Sequence, residues 1–149
     1  MKPILYAEDE QDDVFFMQRA FRQAGVQQTL QTVSDGAEAV AYLSGNAKYA
    51  DRDNYPVPGL ILLDLNMPQM SGFEVLKWIR SSPLHCKIPV LVLTSSNQPS
   101  DVDRASILGA NGFLVKPGKP EQLVDVVKAF KEYWLAHDQF TVGPDSAVS

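Results

Sequence analysis

Five short apolar runs, each followed by a stretch with helical spacing, limit the folds open to this chain. Pro3 to Ala7, Leu30 to Val33, Leu60 to Asp64, Pro89 to Thr94 and Gly112 to Val115 read as strands. Gln11 to Gln23, Ala37 to Leu43, Phe73 to Ile79, Ser100 to Leu108 and Glu121 to Leu135 read as helices, with apolar residues three and four apart. In the first helix that apolar set is Val14, Phe15, Met17, Ala20 and Phe21, and Gly25 ends it. Strict alternation of strand and helix predicts an α/β fold, a parallel sheet with right-handed crossovers and helices on both faces. Val90-Leu91-Val92-Leu93 is continuously apolar, as a strand covered on both sides requires. Leu30 to Val33 is more polar and suits a sheet edge.

The chain has 149 residues, enough for one domain with a full core and too few for two comfortable ones. We expect the domain over residues 1–135 and a loose tail over 136–149. The polar connection from Ser44 to Gly59 is expected on the side away from any site. A formal net charge of −5 argues against nucleic acid as the main partner, because phosphate backbones demand a basic surface. No apolar stretch approaches the roughly 20 residues of a membrane-spanning helix. The N-terminus runs into a core strand without a signal-peptide layout. The single cysteine, Cys86, allows no intramolecular disulfide and is expected to be an incidental thiol. A cytoplasmic location is expected. His85 and His137, far apart in sequence, are expected to be surface residues rather than metal ligands.

The residues at the strand ends are chemically consistent. Glu8 and Asp9 follow the first strand, Asp64 and Asn66 the third, Thr94 and Ser95 the fourth, and Lys116 and Pro117 the fifth. In a parallel sheet these ends share one edge. If the first strand lies between the second and third, Glu8, Asp9 and Asp64 meet where the strand order reverses. At an effective dielectric near 20, each close carboxylate pair costs on the order of 4 kcal/mol. A divalent cation relieves that repulsion, and a few oxygen ligands with room for water and phosphate suit Mg²⁺ or Mn²⁺. With the Thr94 hydroxyl and the Lys116 ammonium opposite, the group suits a phosphoryl that Asp64 attacks in line. Taken singly, each residue has a plainer alternative. Glu8 and Asp9 would favour the helix dipole, as Asp12 and Asp13 do; Thr94 would be a turn residue and Lys116 a solvated charge. Their meeting on one edge favours the chemical reading.

These residues resemble the receiver domain of two-component response regulators over about Lys2 to Leu135. The likeness lies in Glu8-Asp9, Asp64 with Met67-Pro68 and Gly72, Thr94-Ser95 and Lys116-Pro117. The resemblance implies a flavodoxin-like, doubly wound sheet in 2-1-3-4-5 order with five helices. It implies Asp64 as phosphoacceptor for a sensor histidine kinase, with Thr94 and Lys116 binding the phosphoryl. It further implies Mg²⁺ on Asp9, Asp64 and the Asn66 carbonyl, assisted by Glu8, and a switch pairing Thr94 with Phe113. It implies a cis Lys116–Pro117 bond as well. Glu8 replaces the commoner Asp, and Ser95 the commoner alanine.

The Ser44–Gly59 connection and the Tyr133-Trp134-Leu135 ending are similar to stand-alone regulators of bacterial phytochrome kinases. Only 14 residues follow Leu135, so the signal is expected to leave through contacts with a downstream protein. In the last helix, Leu123, Val127, Phe130 and Trp134 are expected on the sheet. Val126, Ala129 and Tyr133 form a second stripe, expected to join a homodimer through helix 4, strand 5 and helix 5. A dehalogenase-type phosphatase needs a second acid where Asn66 stands, and a flavodoxin's phosphate loop would not read Glu8-Asp9-Glu10-Gln11-Asp12-Asp13. We expect slow self-dephosphorylation and no substrate turnover. The rival reading is a receiver-like module that binds partners without phosphorylation.

Overall fold

The computed structural model describes residues 1–132. The segment 136–149, and Tyr133, Trp134 and Leu135 before it, lie outside the described residues. The order is β1 (Ile4–Ala7), α1 (Gln11–Ala24), β2 (Leu30–Val33), α2 (Gly36–Ser44), β3 (Leu60–Leu63), α3 (Gly72–Ser81), β4 (Val90–Thr94), α4 (Pro99–Ile107), β5 (Gly112–Val115) and α5 (Leu123–Phe130). All pairings are parallel and the strand order is β2-β1-β3-β4-β5, as expected. The more polar β2 takes one edge.

Side chains along each strand alternate between two apolar layers. Ile4, Tyr6, Leu60, Leu62, Leu91 and Leu93 face α1 and α5, where Met17, Phe21, Val127 and Phe130 cover them. Leu5, Ala7, Ile61, Leu63 and Val90 face α2 and α3. A smaller group joins Leu65, Phe73, Val92 and Ala105 under α4. Among the described residues, no helix is long and apolar enough to cross a membrane.

Several expectations need correction. Phe15 is 53% exposed, and its neighbour Phe16 packs on the core instead. Successive helical residues point about 100° apart, and here Phe16, not Phe15, lies on the side of Ala20 that faces the sheet. His85 is buried, stacked on Trp78 with its Nδ1 2.9 Å from the Ser82 hydroxyl. The Lys116–Pro117 bond is trans, for no cis bond occurs among the described residues. From that trans bond the Lys116 ammonium already reaches three carboxylates. The start of the last helix is a 3-10 turn at Pro120–Gln122, where proline tightens the entry to α5.

The Ser44–Gly59 connection is structured. It holds a 3-10 turn at Ala47–Ala50 and buries Tyr49 against Tyr42 and Tyr55, with ring centroids 4.9 and 5.0 Å away. Arg52 donates to the carbonyls of Tyr42, Leu43 and Tyr55 and so fastens the loop to the end of α2.

Candidate functional site

Backbone pairing runs one residue past three strands and so fixes which way the strand-end side chains point. The N–H of Glu8 donates to Val33, that of Asp64 to Ala7 and that of Lys116 to Thr94. Alternation therefore continues: Glu8 follows Tyr6, Asp64 follows Leu62 and Lys116 follows Leu114, all on the α1/α5 side. Thr94 follows Val92, which packs with Phe73 and Ala105 on the opposite side.

Lys116 is the centre of the charged group. Its ammonium bonds Glu8 Oε1, lies 2.8 Å from Asp13 Oδ2 and 3.5 Å from Asp64 Oδ2. Tyr6 donates its hydroxyl to the same Glu8 oxygen at 3.0 Å, and the Glu10 N–H donates to Oε2 at 3.2 Å. Glu8, Asp64 and Thr94 are buried. Asn66 links the two sides, its N–H reaching Asp64 Oδ1 at 3.3 Å and its amide nitrogen reaching the Thr94 hydroxyl at 3.4 Å. Thr94 is thus held only by long, weak bonds, the other from the Ser96 N–H at 3.4 Å.

Burial pushes the Glu8 carboxyl up to about 7, against the opposing pull of Lys116 and with Asp64 adding to the rise. Burial alone would lower Lys116, but Asp13, Glu8 and Asp64 outweigh it and hold the ammonium above its usual range. Burial, and then the charge of Glu8, drives Tyr6 far above the usual phenol range, so its hydroxyl stays a donor.

Among the described residues, Glu8, Asp13 and Asp64 share the Lys116 ammonium and Asp9 lies beside Glu8 and Asp64, which leaves room for further positive charge. Glu8, Asp9 and Asp64 offer ligand oxygens within 4.8 Å of one another. Ligands around octahedral Mg²⁺ lie about 3 Å apart when adjacent and about 4.2 Å apart when opposite, so an ion would draw these oxygens inward together. Asp9 Oδ1 is buried with no hydrogen-bond partner among the described residues, the state of an oxygen that awaits a ligand. An all-oxygen donor set of this kind fits a hard divalent cation.

The loop after β3 is shaped to hold Asp64. A Cβ on Gly72 would meet the Asp64 carbonyl oxygen at 2.2 Å, so only glycine lets α3 begin this close. Ser71 and Glu74 close a reciprocal cap on that helix. Gln69 takes a left-handed φ of 66°, and Met70 N–H bonds back to Pro68.

Among the residues expected from sequence, Glu8, Asp9, Asp64 and Lys116 meet directly, while Thr94 joins through Asn66. Phe113 is partly buried against Leu65, Phe73, Val92 and Ala105. Val126 packs against the α1/α5 layer, Ala129 is exposed, and Tyr133 lies outside the described residues. Sequence reasoning missed two members. Asp13 has a sufficient reading as a helix-dipole residue, yet it lies in the first turn of α1, which starts at the β1 end, and there its carboxylate reaches Lys116. Tyr6 was read as strand core, although its spacing of two from Glu8 puts both on one face.

Comparison with known proteins agrees with this geometry. Residues 4–128 match the response regulator receiver domain. The chain is 36% identical over 134 residues to response regulator Rcp1 of Synechocystis sp., covering 90% of this chain and 89% of the relative. The phosphorylated cyanobacterial phytochrome response regulator RcpA superposes with a TM-score of 0.84 at 38% identity, over 91% of this chain and 94% of that one. The Mn²⁺-bound form of Rcp1 superposes at 0.81 with 36% identity, over 91% and 95% of the two chains. With this sheet order, this acid cluster and these likenesses, the chain belongs to the response regulator receiver domain family.

Proposed function

We propose that the protein is a phosphorylation switch in which Asp64 accepts a phosphoryl group from a sensor histidine kinase of the phytochrome type. The observation that carries this reading is the seating of Lys116 on Glu8, Asp13 and Asp64 above a buried acid cluster whose Asp9 oxygen has no partner. Glu8, Asp9, Asp64 and the Asn66 carbonyl would hold the divalent cation. Bound there, Mg²⁺ or Mn²⁺ supplies positive charge to the phosphoryl oxygens.

The remaining chemistry belongs to the chain. An Asp64 oxygen forms a bond to phosphorus as the phosphorus–nitrogen bond of the phosphohistidine breaks, and the imidazole nitrogen keeps that electron pair. Lys116 turns from the neighbouring acids to one phosphoryl oxygen, and the Thr94 hydroxyl, released from its long bonds, donates to another. Movement of Thr94 frees space above Val92, where Phe113 already packs. Hydrolysis of the acyl phosphate by water resets the switch without substrate turnover.

The output follows as contact with a downstream protein or a second copy. Ile107 and Val102 on α4 and Val115 on β5 are 84%, 37% and 45% exposed, and Val115 follows Phe113 by two on the same face of β5, so apolar side chains on both elements meet solvent. The same face favours a homodimer through α4, β5 and α5. Light scattering on Val115→Asp tests it: a dimer of unchanged mass removes this face. The central test is incubation with acetyl phosphate and Mg²⁺. We expect a mass gain of one phosphoryl that Asp64→Asn abolishes, and no gain in the parent would favour the module that binds without phosphorylation.

A further inference from the structure

We infer that Tyr6 is a positioning residue for the cation site, acting through Glu8. The inference rests on the switch reading above and concerns a residue that touches neither the cation nor the phosphoryl group. Tyr6 is 1% exposed and its ring belongs to the α1/α5 layer, so its hydroxyl lies where it must find a protein partner. That partner is Glu8 Oε1, 3.0 Å away.

A carboxylate accepts about four hydrogen bonds, two on each oxygen. Tyr6 and Lys116 fill Oε1, while the Glu10 N–H takes one place on Oε2. One place remains on Oε2, for a cation or its water. When Lys116 leaves to bind a phosphoryl oxygen, Tyr6 is the only side chain among the described residues still donating to Oε1. A Glu8 carboxylate with no exposed surface would otherwise keep a bare oxygen and lose its fixed orientation. Tyr6 therefore keeps Glu8 aimed through the exchange.

The pairing depends on glutamate. An aspartate at position 8 would draw the carboxylate back by one carbon–carbon bond, about 1.5 Å, and out of reach of the phenol. Tyr6 and Glu8 form a matched pair in place of the aspartate usual in such sites.

The test is a double-mutant cycle read by Mn²⁺ binding, with the free ion followed by electron paramagnetic resonance. Tyr6→Phe keeps the ring, and we expect it to weaken Mn²⁺ binding about tenfold, the size of one hydrogen bond to a charged group. In the Glu8→Asp background the same change is expected to shift binding less than about twofold, because the bond is already absent. An equal loss in both backgrounds would mark Tyr6 as packing alone and overturn the inference, as would no loss beside Glu8. If the parent binds no Mn²⁺, the switch reading itself falls and the inference falls with it.

Discussion

The Lys116 ammonium lies closer to Asp13, at 2.8 Å, than to Asp64, at 3.5 Å. The lysine proposed to serve the phosphoryl group is therefore shared with an acid on α1 that lies outside the Glu8, Asp9 and Asp64 group. Asp13 is 38% exposed, so its hold is that of a partly screened ion pair, worth about 0.2–1 kcal/mol. Asp13→Asn should release Lys116 toward Asp64 and speed phosphorylation by acetyl phosphate by a factor of roughly 1.4 to 5, as that range allows. Intact-mass time courses at saturating Mg²⁺ would show it. A slower variant would mean that Asp13 orients Lys116 rather than restraining it.

Glu8 gives the fold a pH dependence of unusual sign for a carboxylate. Its folded value, pushed up to about 7, lies above the unfolded one, so the folded chain binds the extra proton between the two. The contribution of Glu8 to stability is therefore present in acid and declines as pH climbs to about 7, after which it is level. Melting curves in excess EDTA should show this decline in the parent and lose it in Glu8→Gln. Cation affinity should run the other way, rising through the same window as Glu8 loses its proton. Parallel slopes for parent and Glu8→Gln would remove Glu8 as the source.

The turn after Asp64 holds two positions with opposite expectations. Gly72→Ala places a Cβ 2.2 Å from the Asp64 carbonyl oxygen, which is backbone and cannot swing aside. A loss of about 3 kcal/mol, near 10 °C in Tm, is expected, together with slower phosphorylation. Gln69→Gly relieves a left-handed residue three positions earlier and should raise Tm by about 1–3 °C. Thermal denaturation of the two variants decides both, and a stable Gly72→Ala would show that the loop can yield.

The sheet and the acid cluster were legible because both follow from local pattern. Continuous apolar runs fix buried parallel strands, and once β1 lies between β2 and β3 the ends carrying Glu8, Asp9 and Asp64 have nowhere else to meet. Tyr49 was not legible. Its burial depends on Tyr42 and Tyr55, which share no period with it, and on Arg52 reaching three carbonyls at once. His85 was hidden for a similar reason, since its partner Trp78 lies on another element. The roles of Asp13 and Tyr6 were within reach of the sequence, one through its place in the first turn of the helix that follows the site strand and the other through strand alternation. What obscured them was that each had a sufficient bland explanation.

Asp9 supplies the sharpest separation of cation binding from folding. Its buried Oδ1 has no hydrogen-bond partner, so without a cation the side chain adds repulsion against Glu8 and Asp64 and little that stabilises. Asp9→Asn should therefore melt at or above the parent temperature in EDTA. With Mg²⁺ at a hundred times its dissociation constant, the parent should gain about 2.7 kcal/mol, or roughly 5–10 °C, because the ion binds only the folded chain. Asp9→Asn should lose most of that increment while keeping its fold. A variant that retains the full Mg²⁺ increment would move the cation away from Asp9 and leave the unpartnered oxygen without a role.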